Sequence, residues 1–179
     1  MRAMTLVMGG ARSGKSAFAQ KLAIESNKEV IYIATAESRD SEMELRIANH
    51  KRSRPSHWHT IESPMNIGRA VANYPHQSSL VLLDCMTLLV SNILVSFQEE
   101  ISEEIVETKV FSELNSLISC YHELDDEWVI VSNEVGLGIV PAYPLGRLYR
   151  DLLGKVNQKL AEVSNRVYFM VAGLPLVVK

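Results

Sequence analysis

The strongest constraint on the fold is a glycine-rich segment that directly follows a short apolar run. Residues 9–16 read Gly-Gly-Ala-Arg-Ser-Gly-Lys-Ser, which matches the phosphate-loop pattern G-x-x-x-x-G-K-S, and the apolar run before them covers residues 5–8. A strand that ends in such a turn and opens a helix points several backbone N–H groups, and the positive end of the helix dipole, at one small volume. The pattern therefore predicts a phosphate site at the first strand-to-helix junction.

The residue types in this loop have distinct physical tasks. Gly9 and Gly14 allow backbone angles and close approaches that a Cβ would prevent. Lys15 can reach the β- and γ-phosphates of a nucleotide, and the Ser16 hydroxyl can ligate Mg²⁺. The alternative is a glycine turn that precedes Lys-Ser by chance, but the strand before it and the helix after it favour a nucleotide site.

Short β-rich runs alternate with helical patterns along the rest of the chain. Near-continuous Val, Ile and Leu in these runs is typical of strands covered on both faces, so we expect a P-loop NTPase-type (RecA-like) α/β fold with a mostly parallel sheet flanked by helices. A turn at 172–175 leads into a C-terminal edge strand. The predicted strands are 5–8, 30–34, 80–83, 128–131 and 167–171, with weaker ones at 58–61 and 176–178, and the predicted helices are 15–25, 41–52, about 65–73, about 102–122 and 145–163.

Composition predicts a single catalytic domain over residues 1–179. The chain is 47% hydrophobic and 22% charged, which is ordinary for a globular protein with a core. Its net charge of -3 disfavours nucleic-acid binding through global charge. Cys85 and Cys120 are too few for a disulfide framework or a zinc cluster, and the longest apolar stretch, 167–178, is interrupted by Gly173 and Pro175. We expect a cytoplasmic protein without membrane insertion.

A second candidate site residue closes the apolar run at 80–83. In phosphate-loop enzymes an acidic residue at the end of a neighbouring strand ligates Mg²⁺ opposite the loop Ser or Thr. Asp84 is the candidate here, with Ser16 as its counterpart. The alternative is an aspartate that only begins a turn after the strand.

A basic helix forms the third feature. Ser41 and Glu44 have capping-box spacing, and Arg46, His50 and Arg54 recur every four residues, so they share a face. Neighbouring cations favour the neutral imidazole, whose ring nitrogen can attack phosphorus, and the same cations can offset the charge of a triphosphate. The alternative is a solvated basic face with an incidental histidine.

Further motifs extend this pattern from the first strand to the C-terminus. In one-letter code they are GGARSGKS (9–16), YIATA (32–36), EMxxRIxxH (42–50), RPxxWxTxExP (54–64), DCxT (84–87), NEVGLGIVP (133–141) and VAGLP (171–175). In this combination and spacing the chain resembles the bifunctional adenosylcobinamide kinase / adenosylcobinamide-phosphate guanylyltransferase family of cobalamin biosynthesis.

The resemblance implies two reactions. A nucleoside triphosphate, ATP or GTP, phosphorylates adenosylcobinamide, and GTP then donates GMP to the new phosphate through a GMP-histidine intermediate, releasing pyrophosphate. It also implies Mg²⁺, a corrinoid substrate and a homo-oligomer, with a trimer as the family's pattern. His50 matches the histidine that carries GMP, and the implied nucleotide contacts are Gly9, Gly10, Ala11, Arg12, Ser13, Gly14, Lys15, Ser16, Ala34, Thr35, Ala36, Lys51, Arg52, Ser53, Arg54, Glu62 and Asp84.

Two interpretations remain open on the sequence alone. A P-loop small-molecule kinase of another pathway needs the loop and Asp84 but no guanylylated histidine. The segment 133–141 follows a predicted strand, so we expect it at the ligand edge of the sheet, either shaping the corrinoid site or serving as a glycine-rich connection.

Overall fold

The computed structural model describes residues 2–37, 41–52, 54–75, 77, 79–97 and 102–179, without the side chains of residues 41–43, 46 and 49. Within these ranges there are seven strands and six helices. The strands are β1 (Met4–Gly9), β2 (Val30–Ala34), β3 (His59–Glu62), β4 (Leu80–Asp84), β5 (Glu127–Asn133), β6 (Arg166–Val171) and β7 (Leu174–Val177). The helices are α1 (Lys15–Glu25), α2 (Ser41–Arg52), α3 (Ile67–Ala72), α4 (Met86–Ser96), α5 (Glu103–Glu123) and α6 (Pro144–Val163).

The strands form one sheet in the order β3-β2-β4-β5-β1-β6-β7. Neighbouring strands from β3 to β6 are parallel, and only β7 runs antiparallel, on β6. The predicted fold class, a mostly parallel sheet flanked by helices with a C-terminal edge strand, is confirmed. Because parallel strands end at a common edge, Gly9, Ala34, Asp84 and Asn133 meet there: Gly9 pairs with Asn133 and Ala34 with Asp84.

Alternate residues of each central strand face opposite sides of the sheet. Ile31, Ile33 and Leu83 belong to the larger core, which α3, α4, α5 and α6 cover. Tyr32 and Leu82 face the other way and pack into the smaller core on the α1 side. Both faces are therefore buried, which explains the near-continuous apolar strand sequences.

One helix was not expected from the sequence. α4 follows β4 directly, and the prediction left residues 86–96 unassigned. Amphipathic helices reveal themselves by a polar face, whereas α4 reads Met-Thr-Leu-Leu-Val-Ser-Asn-Ile-Leu-Val-Ser and buries residues around most of its circumference. A helix that is apolar on nearly all sides resembles a buried strand in sequence.

The remaining differences concern element ends. β3 begins at His59 rather than at residue 58, and α3 is shorter than predicted at both ends. The predicted turn at 172–175 is tighter: Ala172 and Gly173, with φ of 50° and 85°, make the turn alone, and β7 begins at Leu174. Pro175 lies within this edge strand. Proline has no N–H, but on the solvent side of an edge strand no hydrogen bond of the sheet needs one.

Candidate active site

A cleft of about 610 Å³ opens at the carboxyl edge of the sheet. The phosphate loop and the start of α1 form one wall, the ends of β2, β4 and β5 form the floor, and the C-terminal half of α2 forms the other wall. Its lining residues are Ala11, Arg12, Ser13, Gly14, Lys15, Ser16, Ala17, Tyr32, Ala34, Ala36, Ile47, His50, Lys51, Arg54, Glu62, Asp84, Cys85, Leu88, Val131 and Asn133.

The phosphate loop has the geometry that its sequence predicts. Gly9 has a φ of 149°, and a Cβ there would lie 2.6 Å from the carbonyl oxygen of Met170. Lys15 folds back over the loop, and its ammonium donates a hydrogen bond of 2.6 Å to the carbonyl of Gly10. Burial lowers the pKa of Lys15, and the nearby Cys85 and Asp84 oppose that shift. The loop thus holds a desolvated cation where an anionic ligand would stabilise it.

The turn of the C-terminal hairpin braces this loop. The Gly173 N–H donates to the carbonyl of Ser13 at 2.9 Å. Gly14 has a φ of 95°, and a Cβ there would lie 3.1 Å from the Cα of Gly173. The motif at 171–175 therefore has a structural explanation: Gly14 leaves room for the turn, and the φ of 85° at Gly173 favours glycine there.

Asp84 ends β4 on the floor of the cleft. The Tyr32 hydroxyl donates a hydrogen bond of 2.9 Å to its Oδ2. Burial and the Asp84 carboxylate both raise the pKa of Tyr32 well above its usual value, so this phenol is a protonated donor at neutral pH. The bond fixes the rotamer of Asp84 and leaves the carboxylate further acceptor capacity.

Thr35 secures the residue that follows Asp84. Its hydroxyl donates to the carbonyl of Cys85 and accepts from the Cys85 N–H, both at 2.8 Å, across a cis Asp84–Cys85 peptide. The carbonyl of Thr35 accepts a 2.8 Å bond from the side-chain amide of Asn92 on α4. Burial, with a smaller contribution from Asp84, raises the pKa of the Cys85 thiol to about 11, so this cysteine is a neutral wall of the cleft.

The basic segment at the end of α2 faces the loop. His50 is half-buried and lines the cleft together with Lys51 and Arg54. Lys51 forms an ion pair with Glu62 at the end of β3. The guanidinium carbon of Arg54 lies 3.7 Å from the centroid of the Tyr32 ring. Ser53 and the side chain of Arg46, both singled out from the sequence, lie outside the described residues.

A polar network supports the end of β5. Asn157 on α6 accepts a 2.6 Å bond from the Ser132 hydroxyl and donates a 2.9 Å bond to the carbonyl of Asn133. The Asn133 N–H donates to the hydroxyl of Thr87 at 2.9 Å, and the Glu134 N–H donates to the carbonyl of Gly9 at 3.0 Å. The start of the 133–141 segment is thereby tied to the phosphate loop.

Comparison with known proteins agrees with this geometry. Residues 5–178 match the family model for cobinamide kinase / cobinamide phosphate guanyltransferase. The chain is also similar to the bifunctional adenosylcobalamin biosynthesis proteins CobP of Pseudomonas aeruginosa and CobU of Escherichia coli. It is 41% identical to the first over 174 residues, which cover 97% of this chain and 96% of that protein. It is 39% identical to the second over 181 residues, which cover 98% and 99%.

The chain belongs to the cobinamide kinase / cobinamide phosphate guanyltransferase family. The family resemblance inferred from the motifs is thus confirmed. Among the described residues, none of the helices has both the length and the hydropathy needed to cross a bilayer.

Most of the residues that the family resemblance implied come together in the cleft. The exceptions among the described residues are Gly9, Gly10, Thr35 and Arg52, which are absent from its lining. Gly9 and Gly10 shape the loop from behind, and Thr35 is fully buried beneath the floor. Asn133, the first residue of the segment expected at the ligand edge, also lines the cleft, whereas sequence reasoning did not assign cleft positions to Ala17, Tyr32, Ile47, Cys85, Leu88 and Val131.

The donor set suits Mg²⁺. Ser16 offers a hydroxyl and Asp84 a carboxylate, and both line the same cleft. Oxygen donors are those that Mg²⁺ prefers, and it commonly takes only one or two from protein beside nucleotide phosphates. The part of the chain that the structure describes contains no cluster of three or more His, Cys, Asp or Glu side chains that could hold a metal alone.

Proposed function

We propose that this protein catalyses two successive transfers on adenosylcobinamide. In the first, ATP or GTP phosphorylates the aminopropanol hydroxyl; in the second, GTP donates GMP to that phosphate, giving adenosylcobinamide-GDP and pyrophosphate. The observation that carries this proposal is the presence of a phosphate loop and His50 in one cleft. A kinase alone has no need of a histidine among cations opposite its phosphate loop.

In the guanylyl transfer, a ring nitrogen of His50 attacks the α-phosphorus of GTP. The P–N bond forms as the bond from the α-phosphorus to the bridging oxygen breaks, and pyrophosphate leaves. A phosphate oxygen of adenosylcobinamide phosphate then displaces His50, which breaks the P–N bond and restores the imidazole. Lys51 and Arg54 lie beside this path and offset the charge that develops on the phosphorus oxygens.

The proposed nucleotide contacts are the predicted residues that line the cleft. The phosphate loop binds the phosphates through its N–H groups and Lys15, and Ala34, Ala36 and Glu62 border the nucleotide from the strand ends. Gly9, Gly10 and Thr35 act by shaping the backbone beneath it. Ser16 and Asp84 would hold Mg²⁺, which would supply charge neutralisation at the phosphates.

The remaining partner assignments follow from chemistry and family membership. The corrinoid reaches the cleft from the side of the 133–141 segment, whose Leu137 and Ile139 are almost fully exposed. We place the enzyme in the cytoplasm, where its nucleotides are available, as a homo-oligomer, with the family's pattern favouring a trimer. The net charge of -3 disfavours nucleic acid as a partner.

The test is to assay the two partial reactions separately in a His50→Ala variant. We expect guanylyl transfer to fall by at least about 10³-fold because the nucleophile is gone, while phosphorylation of adenosylcobinamide stays within roughly threefold. His57→Ala is the matched control, since His57 is exposed and outside the cleft lining. Equal loss of both activities in a folded His50→Ala protein, or no loss of guanylyl transfer, contradicts the proposal and favours a simple P-loop kinase.

A further inference from the structure

Tyr32 is an unusual residue for the middle of a central strand. β2 reads Val-Ile-Tyr-Ile-Ala, and all five residues are buried, with Tyr32 only 1% exposed. An aliphatic residue would satisfy the core at this position, whereas a buried phenol also needs a hydrogen-bond partner. The sequence motif at 32–36 does not by itself say what the hydroxyl contacts.

Strand register explains how the hydroxyl reaches Asp84. Tyr32 pairs with Leu82 on β4, and Asp84 lies two residues further along the same strand, so Tyr32 and Asp84 are diagonal neighbours on one face. A tyrosine spans that diagonal, and the resulting hydrogen bond measures 2.9 Å. A shorter side chain at position 32 would leave Asp84 without this donor.

The ring of Tyr32 makes a second contact, with the segment that follows His50. The Arg54 guanidinium lies 3.7 Å from the ring centroid, and the Trp58 ring stacks nearby with a centroid distance of 6.3 Å and an interplanar angle of 25°. The Nε of Arg54 is buried and has no hydrogen-bond partner among the described residues. The ring face therefore contributes directly to holding this cation in place.

Arg54 in turn fixes the chain next to the proposed nucleophile. α2 ends at Arg52, and the Arg54 N–H donates to the carbonyl of Lys51 at 3.4 Å. His50 and Arg54 line the same cleft. A backbone hydrogen bond thus joins the residue whose guanidinium lies on the Tyr32 ring to the last turn of α2, which contains His50.

We propose that Tyr32 is a positioning residue that fixes the Asp84 carboxylate and the Arg54 guanidinium relative to each other, so that one buried side chain aligns the phosphate-loop half of the cleft with the segment carrying His50. This inference rests on the proposed function, since it assigns Asp84 to the nucleotide's metal and Arg54 to guanylyl transfer. The hydroxyl serves the first contact and the ring serves the second. The two contacts are therefore separable by substitution.

The experiment compares Tyr32→Phe with Tyr32→Leu. Tyr32→Phe removes the bond to Asp84 and keeps the ring. Calorimetry measures the affinity of the protein for a non-hydrolysable GTP analogue with and without Mg²⁺. We expect the factor by which Mg²⁺ raises this affinity to fall about three- to tenfold in Tyr32→Phe. The rate of GMP attachment at saturating Mg²⁺ should stay within twofold of wild type. Tyr32→Leu also removes the ring, and GMP attachment should then be about tenfold slower than in Tyr32→Phe.

A double-mutant cycle with Arg54→Ala shows whether the ring acts through Arg54. Tyr32→Leu and Arg54→Ala should each slow GMP attachment. The variant that carries both changes should be little slower than Arg54→Ala alone. Tyr168→Phe and Tyr168→Leu are the matched controls, because Tyr168 lies on β6 against Phe18, outside the cleft lining. If Tyr32→Leu does not fold, as judged by its thermal transition, Tyr32→Met replaces it, since an unbranched side chain fills irregular space.

The outcomes separate this inference from the proposed function. If wild-type protein acquires GMP but Tyr32→Leu acquires it as fast as Tyr32→Phe, or if the losses in the cycle are additive, the role of the ring is overturned. Unchanged Mg²⁺ dependence of analogue binding in Tyr32→Phe overturns the role of the hydroxyl. Absence of GMP on the wild-type protein itself overturns the proposed function, and this inference with it.

Discussion

The phosphate loop and the helix that carries His50 face each other across one cleft, but the protein holds them by different means. The loop follows β1, which lies between β5 and β6 inside the sheet, and the Gly173 turn braces it from behind. α2 presents Glu44, Leu45 and Ala48 to solvent and only half-buries Ile47 and His50. Two described side-chain contacts join this region to the sheet, both near the C-terminal end of α2. They are the ion pair between Lys51 and Glu62 and the cation–π contact between Arg54 and Tyr32.

This difference matches the two tasks. A phosphate cradle works through N–H groups and charges that are already in place before the ligand arrives, so it belongs on rigid elements. The proposed nucleophile must approach the α-phosphorus of one substrate and be displaced by a second, larger one, and the partly exposed segment that carries it suits such a task. Changes in the loop should therefore affect both reactions and the stability of the core, whereas changes in the α2 segment should affect mainly guanylyl transfer.

The largest effect on both reactions together is expected from Lys15→Met. Both partial reactions should fall by roughly 10²- to 10³-fold, because the loop loses its cation. The same change should raise the melting temperature of the nucleotide-free protein, because it removes a charge that burial desolvates. Lys21→Met, at an exposed position on the same helix, is the control and should alter neither activity nor melting temperature appreciably.

The stability gain in Lys15→Met should depend on pH. Burial lowers the pKa of Lys15 in the folded protein below its ordinary value, so the unfolded chain binds more protons between the two values. Wild-type stability relative to the variant should therefore rise as the pH increases through the folded pKa of Lys15. Melting curves of both proteins across the alkaline range check this, and a gap that stays constant or widens contradicts the proposed burial cost.

A smaller effect is expected where the sheet edge supports the loop. Asn157→Leu leaves the Ser132 hydroxyl and the Asn133 carbonyl without their partner, which should lower the free energy of unfolding by about 2–4 kcal/mol. For a chain of this size that corresponds to a fall in melting temperature of roughly 5–10 °C. Gln158→Leu, at the next and exposed position, should change it by little; equal shifts in the two variants would argue against the network.

The smallest effect is expected on the α2 side of the comparison. The ion pair between Lys51 and Glu62 is largely exposed, so a double-mutant cycle with Lys51→Met and Glu62→Gln should give a coupling in unfolding free energy below about 1 kcal/mol. Chemical denaturation of the nucleotide-free proteins measures it. A coupling above about 2 kcal/mol would mean that α2 is anchored as firmly as the loop.

The two regions also differ in how far the sequence reveals them. The loop could be predicted because its chemistry is local: strand, glycines, Lys15 and Ser16 follow one another, and Asp84 closes a clear strand. The partners of Tyr32 and Thr35 could not, because their contacts to Asp84 and Cys85 span 52 and 50 residues and depend on register between β2 and β4. The near-continuous apolar run predicts that Tyr32 is inside the sheet but not which carboxylate it meets.

Helix α4 and the exact position of the C-terminal turn could not be predicted from the sequence, for related reasons. α4 is buried on most sides and so lacks the polar stripe by which α6 was recognised. Pro175 indicated a turn, yet at the edge of the sheet a proline fits within a strand, and the turn itself needs only Ala172 and Gly173. For α4 and for the C-terminal turn, the local sequence pattern is compatible with two structures, and tertiary contacts determine which one forms.

The central claim is that the imidazole of His50 becomes covalently linked to GMP. Wild-type protein is incubated with GTP and Mg²⁺, and its intact mass and peptide map are recorded while adenosylcobinamide-GDP formation is followed in parallel. The account predicts one acid-labile GMP group on the peptide containing His50, and none in His50→Ala. Formation of adenosylcobinamide-GDP by a protein that carries no GMP, or carries it on another residue, would contradict the account.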